Sequence, residues 1–363
     1  MGGDVNRTRR RSGVLLALAI LAELFLPSPH ELGVEMEVMR GPEPLQIPRD
    51  LLVEAMAAQD RHTDALLRVP GVVGTAIGAD RHGRPVVQIL TAAPGVAGLP
   101  ASLDGFDIDV RVIGPVWALG EAPWAASAEE EEPSNPRLRF PRPVPIGVST
   151  GQPDVTAGTI GARVTDGERV FALSNNHVYA DRNAANIGDN VLQPGRADGG
   201  ADPDHAIGTL FDFEPLRFCQ GLFCPENRID AAIALSSPDN LGTSTPRGGY
   251  GTPRSDPVEA MLNQEVQKFG RTTGHTVGRI TGIHATVTVN YRTGNVRFVD
   301  QIIVSGGGFS QGGDSGSLIV TKARGDDDRR PVGLLFAGSA ASTIANPIDL
   351  VLDRFGVRID DGS

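Results

Sequence analysis

The sequence predicts a mainly β protein, in which a small α+β unit precedes a long region of short strands that closes as barrels or a sandwich. Three observations carry this expectation. Glycine (45) and proline (27) make up about a fifth of the 363 residues. That is well above the roughly 12% of an average chain, yet short of low-complexity composition, so turns are frequent. From about residue 146 onward, short apolar segments recur roughly every dozen residues between turn clusters, the spacing of antiparallel barrels or sandwiches rather than of βαβ units. Near the start, one segment alone carries a long helical periodicity of apolar residues.

In chain order, Arg7, Arg9, Arg10 and Arg11 precede an apolar run over residues 14–22, which resumes after Glu23 as Leu24, Phe25 and Leu26. A basic stretch followed by a short apolar one is the pattern of a secretory signal, and residues 1–45 are expected to form such a leader. Glu23, Pro27 and Pro29 interrupt the pattern, leaving a misplaced start or an amphipathic leader as the other reading. The run is shorter than the ~20 apolar residues that span a bilayer, so no integral membrane span is expected. The compartment follows the leader: secreted or cell-envelope if it is a signal, cytoplasmic if it is not. Cys219 and Cys224, in FCQGLFC, are placed to close a small loop as a disulfide, which fits an oxidising compartment; two free thiols are the alternative. With only 2 cysteines, a disulfide framework and a four-cysteine zinc site are excluded.

Residues 48–69 read as a helix, with Leu52, Ala55, Met56, Ala65, Leu66 and Val69 at three-to-four spacing around a polar middle. Residues 72–78 and 85–90 flank the turn Ala79-Asp80-Arg81-His82-Gly83 as a hairpin. Residues 106–113 alternate strictly, with Phe106, Ile108, Val110 and Val112 opposite Asp107, Asp109 and Arg111, the pattern of a half-buried strand. Residues 46–120 are therefore expected to form a small α+β accessory domain with no recognisable chemistry. Residues 121–143, proline-rich and carrying the acidic run 129–132, cannot bury apolar area and read as a linker. Beyond it, the clearest strands are 170–173, 229–235, 266–269, 283–289, 302–304, 318–320 and 332–337.

The strongest chemical signal is Gly312-Gly313-Asp314-Ser315-Gly316-Ser317. A serine hydroxyl is a poor nucleophile, and needs a base for its proton and donors for the developing oxyanion. Flanking glycines let the backbone adopt unusual angles and let a substrate carbonyl come close. The amides of Gly313 and Ser315 would then converge as an oxyanion hole. Alone, the motif is also ordinary turn chemistry. Upstream, however, the apolar segment FALSNNHV runs straight into His177, and NRIDAAIA places Asp230 at the mouth of an apolar strand. An aspartate bordering so much apolar chain needs a partner, and a histidine N–H is a suitable one.

The segments SNNHV, IDAAIAL and GGDSGS, in that order, resemble the trypsin-like (chymotrypsin-fold) serine proteases, with the HtrA-type and streptogrisin-type bacterial branches nearest. VQKFGRTTG, followed by Gly278, is similar to the Gly-x-Thr-Thr-Gly strand of the streptogrisin type, and residues 146–358 also resemble bacterial relatives of the plant narrow-leaf proteins. The resemblance implies a chymotrypsin-like double β-barrel over residues 144–363, with the site in the cleft between barrels. It implies His177 as general base, Asp230 orienting it, Ser315 as nucleophile, and Gly313 with Ser315 as oxyanion donors. The implied activity is serine endopeptidase, with a protein or peptide substrate, no cofactor and no metal.

Departures from the pattern are Asn175 and Asn176 where many members carry alanines, Val178 where they carry a disulfide cysteine, and Ser317 where glycine is common. Phe309 stands six residues before the serine, where basic-specific members have aspartate, and the pocket-wall residues Ala337 and Gly338 add no charge. A buried guanidinium would lack its partner there, so a small or apolar residue is expected on the acyl side of the cleaved bond. The alternative is a catalytically silent or self-inhibited protease-fold protein that acts by binding other proteins; an esterase using the same triad is a weaker third.

Other polar clusters carry less. Asp198, Asp202, Asp204 and His205 crowd one loop without the spacing of a calcium motif and read as solvated. His284 is expected on a solvated strand face, His82 and His275 in turns, and residues 306–308 in a flexible pocket loop. A net charge of −11 argues against a phosphate-tracking nucleic-acid binder. The sequence leaves the oligomeric state open.

Overall fold

The computed structural model describes residues 43–119, 135–221, 223–305 and 308–363. Nearly all of the expected leader, most of the expected linker and residues 306–307 lie outside the described residues.

Helix α1 (Arg49–Leu66) follows Pro48 and buries Ala55, Ala58 and Leu66. The polar middle of its pattern is buried too. Gln59 Nε2 donates to Thr75 Oγ1 at 3.0 Å and to the His284 carbonyl at 2.9 Å, while Thr63 and Thr75 share a hydroxyl hydrogen bond of 2.8 Å. These bonds offset a penalty of about 1–3 kcal/mol for each unpaired buried polar group. The helix shares a core with the antiparallel hairpin of β1 (Val72–Ala79) and β2 (Pro85–Thr91). Asp80 fixes the hairpin turn by accepting from the amides of His82 and Arg84 at 2.8 and 2.9 Å. Then come β3 (Ser102–Leu103) and β4 (Phe106–Val112), which runs parallel to β2. The expected half-buried face of β4 is realised only in part. Phe106 and Ile108 join the core under α1, whereas Val110 and Val112 lie beyond it and are 47% and 48% exposed.

A two-residue strand, β5 (Trp117–Ala118), closes this part. Next are β6 (Ser149–Thr150), β7 (Gly158–Thr159), β8 (Ala162–Thr165), β9 (Val170–Ser174), the short α2 (Asn176–Tyr179), β10 (Asn190–Leu192), β11 (Ala206–Phe213), β12 (Glu226–Asn227) and β13 (Ala232–Ser236). The remainder comprises β14 (Glu265–Gly270), β15 (Gly274–Asn290), β16 (Asn295–Ser305), β17 (Leu318–Thr321), β18 (Pro331–Gly338), β19 (Ser342–Pro347), α3 (Ile348–Phe355) and β20 (Arg358–Ile359).

Strands β10-β11-β13-β9-β8-β20 form one six-stranded sheet, flanked by the β6–β7 pair. Strands β14-β15-β16-β19-β18-β17 form a second, and β17 pairs back onto β14, which closes it as a barrel. The mainly β, double-barrel class expected from the sequence is the class observed. Residues 72–112 extend the second barrel: β1 pairs antiparallel with the distal half of β15, Thr75 opposite Thr286. The chain from Gly41 to Ser363 forms one compact unit. Among the described residues, no helix is long and apolar enough to cross a membrane.

Two sequence expectations shift. The strand expected over 229–235 begins only at Ala232, because side chains replace the ladder at its mouth. The Asp230 amide donates to Asn346 Oδ1 at 3.0 Å, and the Asp230 carbonyl accepts from Asn175 Nδ2 at 2.7 Å. Nor is His284 simply solvated. It sits at φ +51° where the β15–β16 register shifts, with Nδ1 2.7 Å from Asp300 and Nε2 2.9 Å from Asp60 of α1. Arg228 also bonds Asp300, at 2.8 Å.

The hydrogen bond to Asp300, and then that to Asp60, raise the His284 pKa above its ordinary 6.5 against the opposing effect of burial. A raised folded-state pKa stabilises fully below the unfolded value and is lost as pH rises through the folded one. His284→Gln is therefore expected to lower stability by about 1 kcal/mol at acidic pH. The gap to wild type should be widest below about pH 6.5 and close as the pH rises through the raised folded-state value in thermal melts; a pH-independent gap would show that packing, not charge, holds the residue.

Candidate active site

Strand β9 delivers Ser174 to the barrel end, Asn175 turns the chain, and α2 carries His177 in its single turn. His177 Nδ1 lies 2.6 Å from Asp230 Oδ2, and the His177 amide donates to Asp230 Oδ1 at 3.2 Å. The Tyr291 hydroxyl donates to Asp230 Oδ2 at 2.7 Å. Asp230 is fully buried, so a carboxylate that would be costly alone is held by three donors. This network assigns the ring proton to Nδ1 and leaves Nε2 as the acceptor. Among the described residues, that buried Nε2 has no hydrogen-bond partner. The His177 ring meets Tyr291 edge-on, with centroids 5.9 Å apart. Further out, Asn346 bonds Gln301 at 2.7 Å, and Gln301 bonds the Arg228 carbonyl at 2.8 Å.

Ser315 belongs to a loop whose shape is set by Asp314. The Asp314 carboxylate accepts from the amides of Gln311, Thr272 and Thr273 at 2.9, 2.8 and 3.2 Å, and from the Thr273 hydroxyl at 2.7 Å. Gly313 adopts φ +96°, and a Cβ there would fall 2.5 Å from Arg271 and 2.6 Å from Thr272; only glycine fits. The first barrel grips the same loop: the Thr159 amide donates to the Ser315 carbonyl at 2.7 Å, and its hydroxyl to the Gly313 carbonyl at 2.9 Å. The amides of Gly313 and Ser315 donate to no other described residue. The Ser315 hydroxyl donates to the Phe336 carbonyl at 3.4 Å rather than to His177, and Ser315 is fully buried.

The fold thus brings all three candidate catalytic residues to the junction of the barrels. Phe309 is buried with Ile280 and Val304, and Ala337 and Gly338 end β18 just past Phe336. Cys219 and Cys224 form a disulfide. A cavity of about 450 Å³, lined by residues including Arg139, Arg142, Asp204 and His205, contains none of the candidate catalytic residues.

Residues 253–346 match the family model described as the Nal1 C-terminal domain. Protein NARROW LEAF 1 of Oryza sativa subsp. japonica is 31% identical over 86 residues, a match covering 23% of this chain and 14% of that protein. The likeness to narrow-leaf proteins expected over 146–358 is thus found over 253–346. Similar solved structures are proteases. Thermobifida fusca protease A is 21% identical with a TM-score of 0.43, covering 60% of this chain and 100% of that one. A glutamic acid specific serine protease gives 21% and 0.42, with 60% and 100% covered. Nocardiopsis protease (NAPase) gives 17% and 0.42, with 60% and 99% covered.

Sequence reasoning did not single out four side chains that hold the site: Tyr291, Asn346, Lys268 and Arg271. Lys268 is fully buried in β14, with Nζ 3.4 Å from Asp314 Oδ2, 3.1 Å from the Gly274 carbonyl and bonded to the Thr273 hydroxyl. Burial lowers its pKa, and the Asp314 charge opposes that shift. A lysine set between Val266 and Phe269 in the VQKF strand was the available signal. Arg271 clasps Asp198 with two bonds of 2.6 and 2.7 Å, and the Ser149 hydroxyl adds a third at 2.5 Å. Asp198 is therefore not part of a solvated acidic loop; its side chain is 7% exposed. Asp202 accepts from Asn190, and His205 Nδ1 from the Ala201 amide. No His, Cys, Asp or Glu cluster among the described residues could hold a metal ion.

Removing one member of a buried ion pair leaves an uncompensated charge. Lys268→Met is expected to cost about 3 kcal/mol in urea denaturation, and adding Asp314→Asn should recover part of it. A strictly additive double variant would show that the two side chains do not act on each other.

Proposed function

We propose that the chain is a serine-type endopeptidase whose nucleophile is Ser315. The observation that carries this is the His177–Asp230 contact of 2.6 Å, with a His177 Nε2 that has no partner among the described residues, together with a serine loop whose Gly313 and Ser315 amides bond no other described residue. In this reading the Ser315 hydroxyl turns from Phe336 to His177 Nε2, which takes its proton as Oγ bonds to the substrate carbonyl carbon. The amides of Gly313 and Ser315 then stabilise the oxyanion. Asp230, braced by Tyr291, stabilises the imidazolium, which hands its proton to the departing amine. Water repeats the sequence to release the acid. The substrate is a protein or peptide with a small or apolar residue on the acyl side, and the Gly270–Gly274 segment favours a streptogrisin-type site over an HtrA-type one.

A second reading, a silent or self-inhibited protein that works by binding, is favoured by the burial of Ser315 and the turn of its hydroxyl toward Phe336. A fluorophosphonate probe separates the two. Labelling is expected in wild type and is expected to vanish in Ser315→Ala and His177→Ala. Asp230→Asn should slow it by about 10⁴-fold, as loss of the orienting acid does in such triads. A folded chain that stays unlabelled, both as wild type and in the opened variants described next, would sink the endopeptidase reading.

A further inference from the structure

The backbone edge beside Ser315 is occupied by the chain itself. Strand β18 passes through Phe336, whose carbonyl takes the Ser315 hydroxyl, and ends at Ala337 and Gly338. On one side, Ala337 and Gly338 pair with Ile344 and Thr343 of β19. On the other, β17 pairs only with Leu334, Gly333 and Pro331, which leaves the edge at 336–338 for another strand. That strand is β5, antiparallel, with Ala118 opposite Ala337 and Trp117 opposite Gly338. The ladder ends at Ala118, and Leu119 follows it at the start of a tighter, helical turn, its side chain against Gly338.

The polarity of β5 matters as much as its position. The segment runs from Trp117 opposite Gly338 to Ala118 opposite Ala337, so along β18 it advances, amino-terminal end first, toward Phe336, whose carbonyl takes the Ser315 hydroxyl. That is the direction in which the acyl half of a cleaved peptide must lie. Ala118 is fully buried against a cluster that includes Tyr291 and Phe336, and Leu119, 1% exposed, shares a cluster with Phe309. Gly338 permits this approach: a Cβ there would fall 3.1 Å from Leu119 Cδ2 and 2.9 Å from the Ser342 carbonyl. The strand is anchored on its far side as well, where Asn290 pairs with Trp117 and its amide donates to the Val116 carbonyl at 3.0 Å.

We propose that residues 116–119 are a tethered, substrate-like strand that holds the cleft closed in the resting protein. Its side chains report the preferred substrate: a leucine-sized aliphatic residue on the acyl side, preceded by alanine. This rests on the endopeptidase reading for its chemistry, but not for its geometry. Strand addition supplies backbone hydrogen bonds, and the side-chain pockets supply selectivity. A competing substrate finds the site only in the fraction of molecules whose strand has lifted.

The test uses the full chain with Ala118→Arg, which forces a guanidinium into a filled slot, and the milder Leu119→Gly. Circular dichroism and thermal melts check that each folds; if the first does not, the second carries the same readouts. Both are expected to react with the fluorophosphonate probe about tenfold faster than wild type, or more. They should cleave acetyl-Val-Trp-Ala-Leu-nitroanilide in preference to its arginyl and glutamyl counterparts. Wild type reacting as fast as both variants would overturn the tethered strand, and a preference for arginine or glutamate would overturn the specificity read from it. Fluorescein-labelled Val-Trp-Ala-Leu binding to the Ser315→Ala, Ala118→Arg double variant, followed by anisotropy, keeps the two readings apart. Tight binding there with no labelling of any variant removes the chemistry and leaves the strand standing. No binding removes the strand, whatever the labelling shows.

Discussion

The backbone pairing of β15 holds most of the molecule in register. Its first residues, from Gly274, pair with β14 inside the second barrel, it pairs with β16 from Arg279 to Asn290, and its distal half pairs with β1. Register shifts along the β15–β16 ladder let one strand serve both the closed barrel and its extension through β1, because each extra residue bends and twists the chain. The strand ends at Asn290, which anchors β5, and leads directly into Tyr291, which braces Asp230. The α+β layer, the cleft and the candidate acid are therefore placed by the same stretch of backbone.

Within that frame, buried carboxylates set the local shape. Asp230 and Asp314 are both fully buried and neither is left to an apolar environment. Asp230 takes an imidazole, an amide and a phenol; Asp314 takes three amides, a hydroxyl and the Lys268 ammonium. Such networks are costly when incomplete and rigid when complete. The Asp314 network shapes the turn at Gly313, while the Asp230 network fixes which nitrogen of His177 faces inward. The Arg271–Asp198 clasp joins the second barrel to the first on the same side of the serine loop.

Much of this was legible in the sequence because it is local. Short strands announce themselves by alternation and turn residues, and His177, Asp230 and Ser315 each stand where an apolar segment meets polar chain. What was not legible depends on partners far along the chain. Nothing near Thr75 reveals that it lies opposite Thr286. Asp198 looks solvated among its acidic neighbours until Arg271 arrives from 73 residues away. His284 alternates like an outward-facing residue, and only α1 and β16 supply the two acids that hold it. Two residues of β5 are too few to show any period.

An unpaired strand edge invites any other extended chain to pair with it, including another copy of the same protein. The closed second barrel removes most such edges, and β5 and β1 cover two that remain, beside Phe336 and along the distal half of β15. A chain shortened to begin after these elements would keep both barrels' own strands but expose two sticky borders rich in apolar side chains. Its first failing would be poor solubility, through self-association rather than through unfolding.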